Sequence, residues 1–130
     1  ITGDEPKRDP QDGEAAEEHK ESASSSFIVK NALTYIEENY TKKLTLCEVA
    51  EKTYVSQWHL SKLLNRYKGL SVSDILNNIR IEKSKEVLKD PSLRIGDIAD
   101  MVGFLDMAHF SRVFKRQTGL SANEYRNSLK

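Results

Sequence analysis

The stretch from Ser56 to Ile75 recurs fifty residues further on, from Asp106 to Tyr125. His59 meets His109, Leu60 meets Phe110, Ser61 meets Ser111, Lys62 meets Arg112 and Leu63 meets Val113. The match runs on through Leu64 and Phe114, Arg66 and Arg116, Gly69 and Gly119, Leu70 and Leu120, Ser71 and Ser121, and Asp74 and Glu124. Upstream it continues at an offset of 49, pairing Leu44 with Leu93, Leu46 with Ile95, Val49 with Ile98 and Ala50 with Ala99. One residue is therefore inserted inside the second copy. A solenoid needs three or more repeats to bury a continuous core, so two copies point to a duplicated supersecondary unit.

Each copy has the make-up of a helix-turn-helix. A short helix carries Ala50 or Ala99, whose small side chain lets a second helix cross closely, and Gly103 supplies a permissive backbone for the turn of the second copy. A longer helix follows, apolar at Leu60, Leu63 and Leu64 or at Phe110, Val113 and Phe114. Thr45 to Glu48, Ser71 to Asp74 and Ser121 to Glu124 fit the capping-box pattern. Gly69 and Gly119 sit where a left-handed C-terminal residue is wanted, and Asp90-Pro91 stops a helix. No stretch alternates with the period of a strand. The spacing predicts an all-α fold of seven helices, over about 27–39, 45–52, 56–68, 71–89, 95–101, 106–117 and 121–128. The fourth would link the two units across roughly 28 Å, at about 1.5 Å per residue.

Charge is divided along the chain. Residues 1–26 hold eight acids and three bases, and the remaining seventeen bases and twelve acids lie in 27–130. Overall neutrality thus conceals a basic domain, which suits a polyanionic partner. The first segment has little to bury and is expected to be an acidic, disordered linker, or helical only where the Glu14 to Glu21 run finds support. The folded part divides into 27–70, a linker helix over 71–90, and 91–130. Cys47 stands alone, which excludes a disulfide framework or a cysteine-based zinc site, and its apolar neighbours suggest a buried thiol. No apolar run is long enough to cross a membrane and no signal peptide is evident, so a cytoplasmic protein is expected. A first residue of Ile1 rather than Met suggests a fragment of something longer.

The apolar stripes fix which faces look outward. In the first copy these carry Gln57, Trp58, Ser61, Lys62 and Asn65; in the second, Met107, Ala108, Ser111, Arg112 and Lys115. Such faces enter a major groove N-terminal end first. Lys62 and Arg112 can donate to guanine O6 and N7, Arg112 in a bidentate manner, against the plainer reading of a solvated helical charge. Trp58 either packs on sugar or a thymine methyl, or covers the turn. Ser61 and Ser111 are candidate donors to base or phosphate, and Lys115 and Arg116 combine phosphate contact with surface charge. His59 and His109 have no carboxylate or cysteine partner and are expected to line the inner wall of each helix, not to bind metal. Phe104, Phe110, Phe114 and Tyr125 are expected in the core.

The run Ile98-Ala99-Asp100-Met101-Val102-Gly103-Phe104, then His109 to Arg116, Gly119-Leu120-Ser121 and Glu124-Tyr125-Arg126, resembles the signature of AraC/XylS-family bacterial transcription regulators. The resemblance covers about 28–128 and includes the Arg80 to Leu88 pattern of the linker helix. It implies two helix-turn-helix subdomains in adjacent major-groove segments of double-stranded DNA. It also implies a separate N-terminal sensor or receiver domain. Ala122 stands where that family usually has proline, and Ser84 where it usually has alanine. A helical interaction module docking on RNA polymerase or a sensor domain is the competing reading, disfavoured by the acid-poor recognition faces. An enzyme lacks its parts: the sequence offers no nucleophile–base pair, phosphate loop or paired carboxylates, and no cofactor is expected.

Overall fold

The computed structural model describes the backbone from Glu14 and the side chains from Ser24 through to Lys130. Seven helices follow one another: α1 (Glu14–Glu38), α2 (Leu46–Lys52), α3 (Gln57–Lys68), α4 (Val72–Val87), α5 (Ile95–Met101), α6 (Met107–Thr118) and α7 (Ala122–Ser128). Among the described residues there is no strand. The element order is the one the repeat requires, with α2–α3 and α5–α6 as the two helix-turn-helix pairs. α1 differs most from expectation. It begins at Glu14 instead of Phe27, so residues 14–26, read as acidic linker, are helical, and Ser25 is already buried at 2% exposure. The rest of the expected linker, 1–13, lies outside the described residues.

Two clusters of buried side chains form the interior. The first joins Val29, Ala32 and Ile36 of α1 to Val49, Ala50, Leu60, Leu63 and Leu64, and closes on Val72, Ile75 and Leu76 of α4. The second joins Ile81 of α4, and Leu88 at its end, to Ile98, Ala99, Val102, Phe104, Phe110, Val113 and Phe114. α4 thus gives its first turns to one core and its last turns to the other. Phe104, Phe110 and Phe114 meet at ring separations of 5.3 and 5.6 Å, and half-buried Tyr125 ends the row 5.5 Å from Phe114. These tilted and edge-on contacts are the arrangement the ring quadrupole favours.

The turns show where the extra residue sits. Val55 N donates to Ala50 O at 3.1 Å, and Phe104 N donates to Ala99 O at 2.9 Å. These equivalent bonds put the insertion at Leu105, which projects with 89% of its surface exposed. Gly103 has φ +98°, and its counterpart Tyr54 has φ +62°. A tyrosine therefore holds the left-handed conformation that costs a side chain roughly 1–2 kcal/mol.

Helix ends follow the sequence closely, with two exceptions. Ser71 and Ser121 form complete capping boxes with Asp74 and Glu124. Thr45 forms only half of one: its hydroxyl accepts from Glu48 N, but the Glu48 carboxylate accepts instead from Tyr35 Oη at 2.9 Å. α4 stops at Val87, short of Asp90-Pro91, so it is about 24 Å long at about 1.5 Å per residue. Just past its end Arg126 ties down the chain, its Nε donating to Leu88 O at 3.0 Å and its Nη2 to Asp90 O at 3.1 Å. Cys47 is exposed, not buried. It lies in the first turn of a seven-residue helix whose inward positions are taken by Val49 and Ala50.

Candidate nucleic-acid interface

α3 and α6 are built alike from the cap onward. Ser56 Oγ accepts from His59 N at 3.1 Å, and Asp106 Oδ1 accepts from His109 N at 2.7 Å. The caps fix where each helix starts, and the buried Leu60–Leu63–Leu64 and Phe110–Val113–Phe114 stripes fix its rotation. The opposite faces are therefore presented to solvent. Gln57, Trp58, Ser61, Lys62 and Asn65 are all exposed on α3, and Met107, Ala108, Arg112 and Lys115 on α6. Ser111 is half-buried rather than exposed. Of the histidines, His59 is half-buried as expected, but His109 is exposed, with its ring edge-on to Phe104 at 5.3 Å.

The electrostatics of the two helices match. α3 carries Lys62, Arg66 and Lys68, α6 carries Arg112, Lys115 and Arg116, and neither contains an acid. Ion pairs among the described residues involve Lys83, Lys85 and Lys89 on the α4 side, and none forms on α3 or α6. The cations of both recognition faces are thus left for an external anion. Lys62 is the partial exception, since its Nζ lies 4.8 Å above the Trp58 ring. The indole beneath it is 70% exposed, and a cation over a ring face at such a distance is attracted by the ring quadrupole. Lys115 also helps to keep the Glu124 carboxyl below its ordinary value, after the larger hydrogen-bond effect of Ser121.

Beside each recognition helix runs a shallow concavity. The first is lined by Trp58, Ser61, Lys62, Asn65, Leu70 and Ser71; the second by Ser111, Arg112, Lys115, Arg116 and Ser121. Ser61 and Ser111, Lys62 and Arg112, Asn65 and Lys115, and Ser71 and Ser121 are repeat partners, so the concavity itself is duplicated. Ser71 and Ser121 were legible only as helix caps. Their pairing in the repeat was the available sign that they also border the interface. Leu105, beside the second recognition helix, was not singled out by sequence because nothing in a single insertion marks which residue is extra. Among the described residues no group of three or more His, Cys, Asp or Glu could hold a metal ion.

Two such units on one shared helix, each turning an acid-free face outward, define a DNA-binding module of the paired helix-turn-helix type. Residues 49–128 match the helix-turn-helix domain family, and the chain belongs to its AraC type. Its structure is similar to the C-terminal domain of AraT, a response regulator from Geobacillus stearothermophilus, with 38% identity and a TM-score of 0.73. That likeness covers 78% of this chain and 84% of the other. An AraC-type DNA-binding domain-containing regulator from Chromobacterium violaceum matches with 25% identity and a TM-score of 0.74, over 81% and 94% of the two chains. In sequence the chain is 35% identical to YijO, an uncharacterized HTH-type transcriptional regulator of Escherichia coli, over 82% of this chain and 38% of that protein. The chain spans less than half the length of the curated relatives it matches. Among the described residues no helix is long and apolar enough to cross a membrane.

Proposed function

We propose that this chain is the sequence-specific DNA-reading part of a bacterial transcription regulator, and that α3 and α6 read two adjacent major-groove segments. The observation that carries the reading is the duplicated recognition face: two capped helices with cations at equivalent positions, no acid within either helix beyond the Asp106 cap of α6, and N-terminal ends open to solvent. In the second unit Arg112 donates to guanine O6 and N7, with Met107 and Ala108 offering apolar contact to a thymine methyl and Ser111 a short-range donor. In the first, Gln57, Ser61 and Lys62 supply the polar contacts and Trp58 the apolar one. Lys115 and Arg116 neutralise phosphates. The division of labour is 27–70 for the first reader, 71–90 for the linker helix and 91–130 for the second reader. Control by a separate sensor or receiver domain and contact with RNA polymerase belong to the same proposal, supported by the greater length of the relatives and by their printed roles as regulators. The reading is of a cytoplasmic DNA-binding protein and assigns the chain no catalysis.

Selection of bound duplexes from a random pool tests it directly. Enrichment of one motif with two conserved segments is the expected outcome. Binding should also weaken with salt along a log–log slope of about −0.9 for each phosphate neutralised. A pool that fails to converge, or binding insensitive to salt, would contradict the proposal.

A further inference from the structure

At the point where α4 passes from the first core to the second, one charged side chain is buried. Arg80 is only 8% exposed. Its Nε donates to Tyr40 O and its Nη2 to Lys42 O, both at 2.8 Å, in the loop that leaves α1. Its guanidinium carbon also lies 5.6 Å from the centre of the Phe104 ring, in the turn of the second unit. Gly103 completes the junction. A Cβ added there would stand 2.8 Å from Tyr40 O, 3.0 Å from Arg80 Nε and 3.0 Å from Thr41 Cα. The turn of the second unit therefore rests on the backbone of the first, and Tyr40 packs against both cores.

A buried cation with no carboxylate beside it is an expensive way to fill space, and burial lowers the pKa of Arg80 from its ordinary value. An apolar residue would occupy the site at less cost. What the guanidinium adds is a planar fork whose donors set an angle as well as a distance. The contact is also particular to this junction. Tyr54, the counterpart of Gly103, is instead 93% exposed. We infer that Arg80, held between the 40–42 loop and the Gly103–Phe104 turn, is a positioning residue that sets the angle between the two recognition helices and so the spacing of the DNA segments engaged together. The part concerning DNA rests on the two-segment reading proposed above. Loosening the junction should lower affinity for correctly phased DNA and shrink the penalty for misphased DNA, because bivalent gain depends on geometry.

Spin labels on cysteines replacing Glu51 and Asp100, in a Cys47→Ser background, report the angle without DNA. Both positions are exposed, one on α2 and one on α5. The parent should give one narrow distance distribution, and Arg80→Met should lose it while keeping a cooperative melt. Gly103→Ala provides a second, independent disturbance. Its control is Gly119→Ala, which shares the positive φ of +84° but meets nothing within 4 Å. The control should stay narrow. A duplex selected with the parent, and the same duplex with about five base pairs inserted between its two contacted segments, gives the DNA arm. The affinity ratio between them should fall about tenfold in Arg80→Met and Gly103→Ala relative to the parent. Narrow distributions in both of these variants would overturn the inference. A parent with no phase preference would instead contradict the two-segment reading, and with it the spacing half of the inference, while broadened distributions would still assign Arg80 the angle.

Discussion

Trp58 and Ala108 hold the same place in the two readers, and the difference between them divides the chemistry. The exposed indole lies under Lys62, so the first face offers a broad apolar surface with a cation already engaged by it. Among the described residues no ion pair or ring contact engages Arg112 on the exposed second face, which leaves its guanidinium available to fork onto a base. Arg112→Ala is therefore expected to cost about 1–3 kcal/mol of DNA affinity and to relax preference at one base position. Lys115→Ala should weaken all sequences alike and reduce the salt slope by about one phosphate. Affinities against a panel of single-base variants separate the two, and an unchanged preference in Arg112→Ala would show the wrong face had been assigned. Tyr54 makes a separate prediction about stability. Its left-handed backbone is a strain that its exposed ring does nothing to offset, so Tyr54→Gly should raise stability by about 0.5 kcal/mol once the glycine entropy cost is subtracted. A lowered melting temperature would mean the ring makes a contact that offsets the strain.

At the scale of the element, most of the fold was legible because each helix announces its own ends. Ser71 and Ser121 cap where the capping-box pattern places them, Ser56 and Asp106 cap the helices expected to start there, and Gly69 and Gly119 close α3 and α6 in the left-handed conformation. What was not legible has a common physical cause. A seven-residue helix is too short for a period of 3.6 to separate Cys47 from the inward positions, and the acidic start of α1 offers no apolar period at all. Whether Glu48 serves its cap or a tyrosine thirteen residues away is a tertiary matter that local pattern does not carry. Arg126 enters the sequence reading only through the family signature, and its bond to Leu88 O just past α4 is likewise a tertiary contact. Ala122 offers a test of local design. Ser121 already has φ −70° and ψ 160°, the conformation a residue before proline requires, and proline suits the first position of a helix. Ala122→Pro should raise stability by about 0.5–1 kcal/mol, seen as a higher melting temperature, and a lowered one would show that the buried site has no room for the ring. Acid should act on the same cap. Backbone and hydroxyl bonds from Ser121 hold the Glu124 carboxyl below its ordinary value, and the hydroxyl and backbone of Ser92 do the same for Asp90. A carboxyl depressed on folding stabilises above its unfolded pKa and loses that contribution as pH falls through the folded value. Glu124→Gln should therefore flatten the fall of melting temperature in acid, and an unaltered profile would show that this carboxyl is not responsible.

Across the whole molecule, the two helix-turn-helix units share one helix, and under the two-segment reading proposed above that sharing would join two separate DNA contacts into one bivalent one. α4 contributes to both cores and is tied to its surroundings at its middle by Arg80 and just past its C-terminal end by Arg126. A spacer of this kind neither lengthens nor twists freely, so the two faces should meet DNA about one helical turn, roughly 10 base pairs, apart. The second contact is then effectively intramolecular, and its gain exists only while the phase is right. The decisive measurement is the affinity of the chain for its selected duplex after half a helical turn is inserted between the two contacted segments. Affinity should fall towards that of a single unit, and a full-turn insertion should fail to restore it completely. Undiminished binding to the half-turn duplex would mean that only one of the two helix-turn-helix units reads DNA.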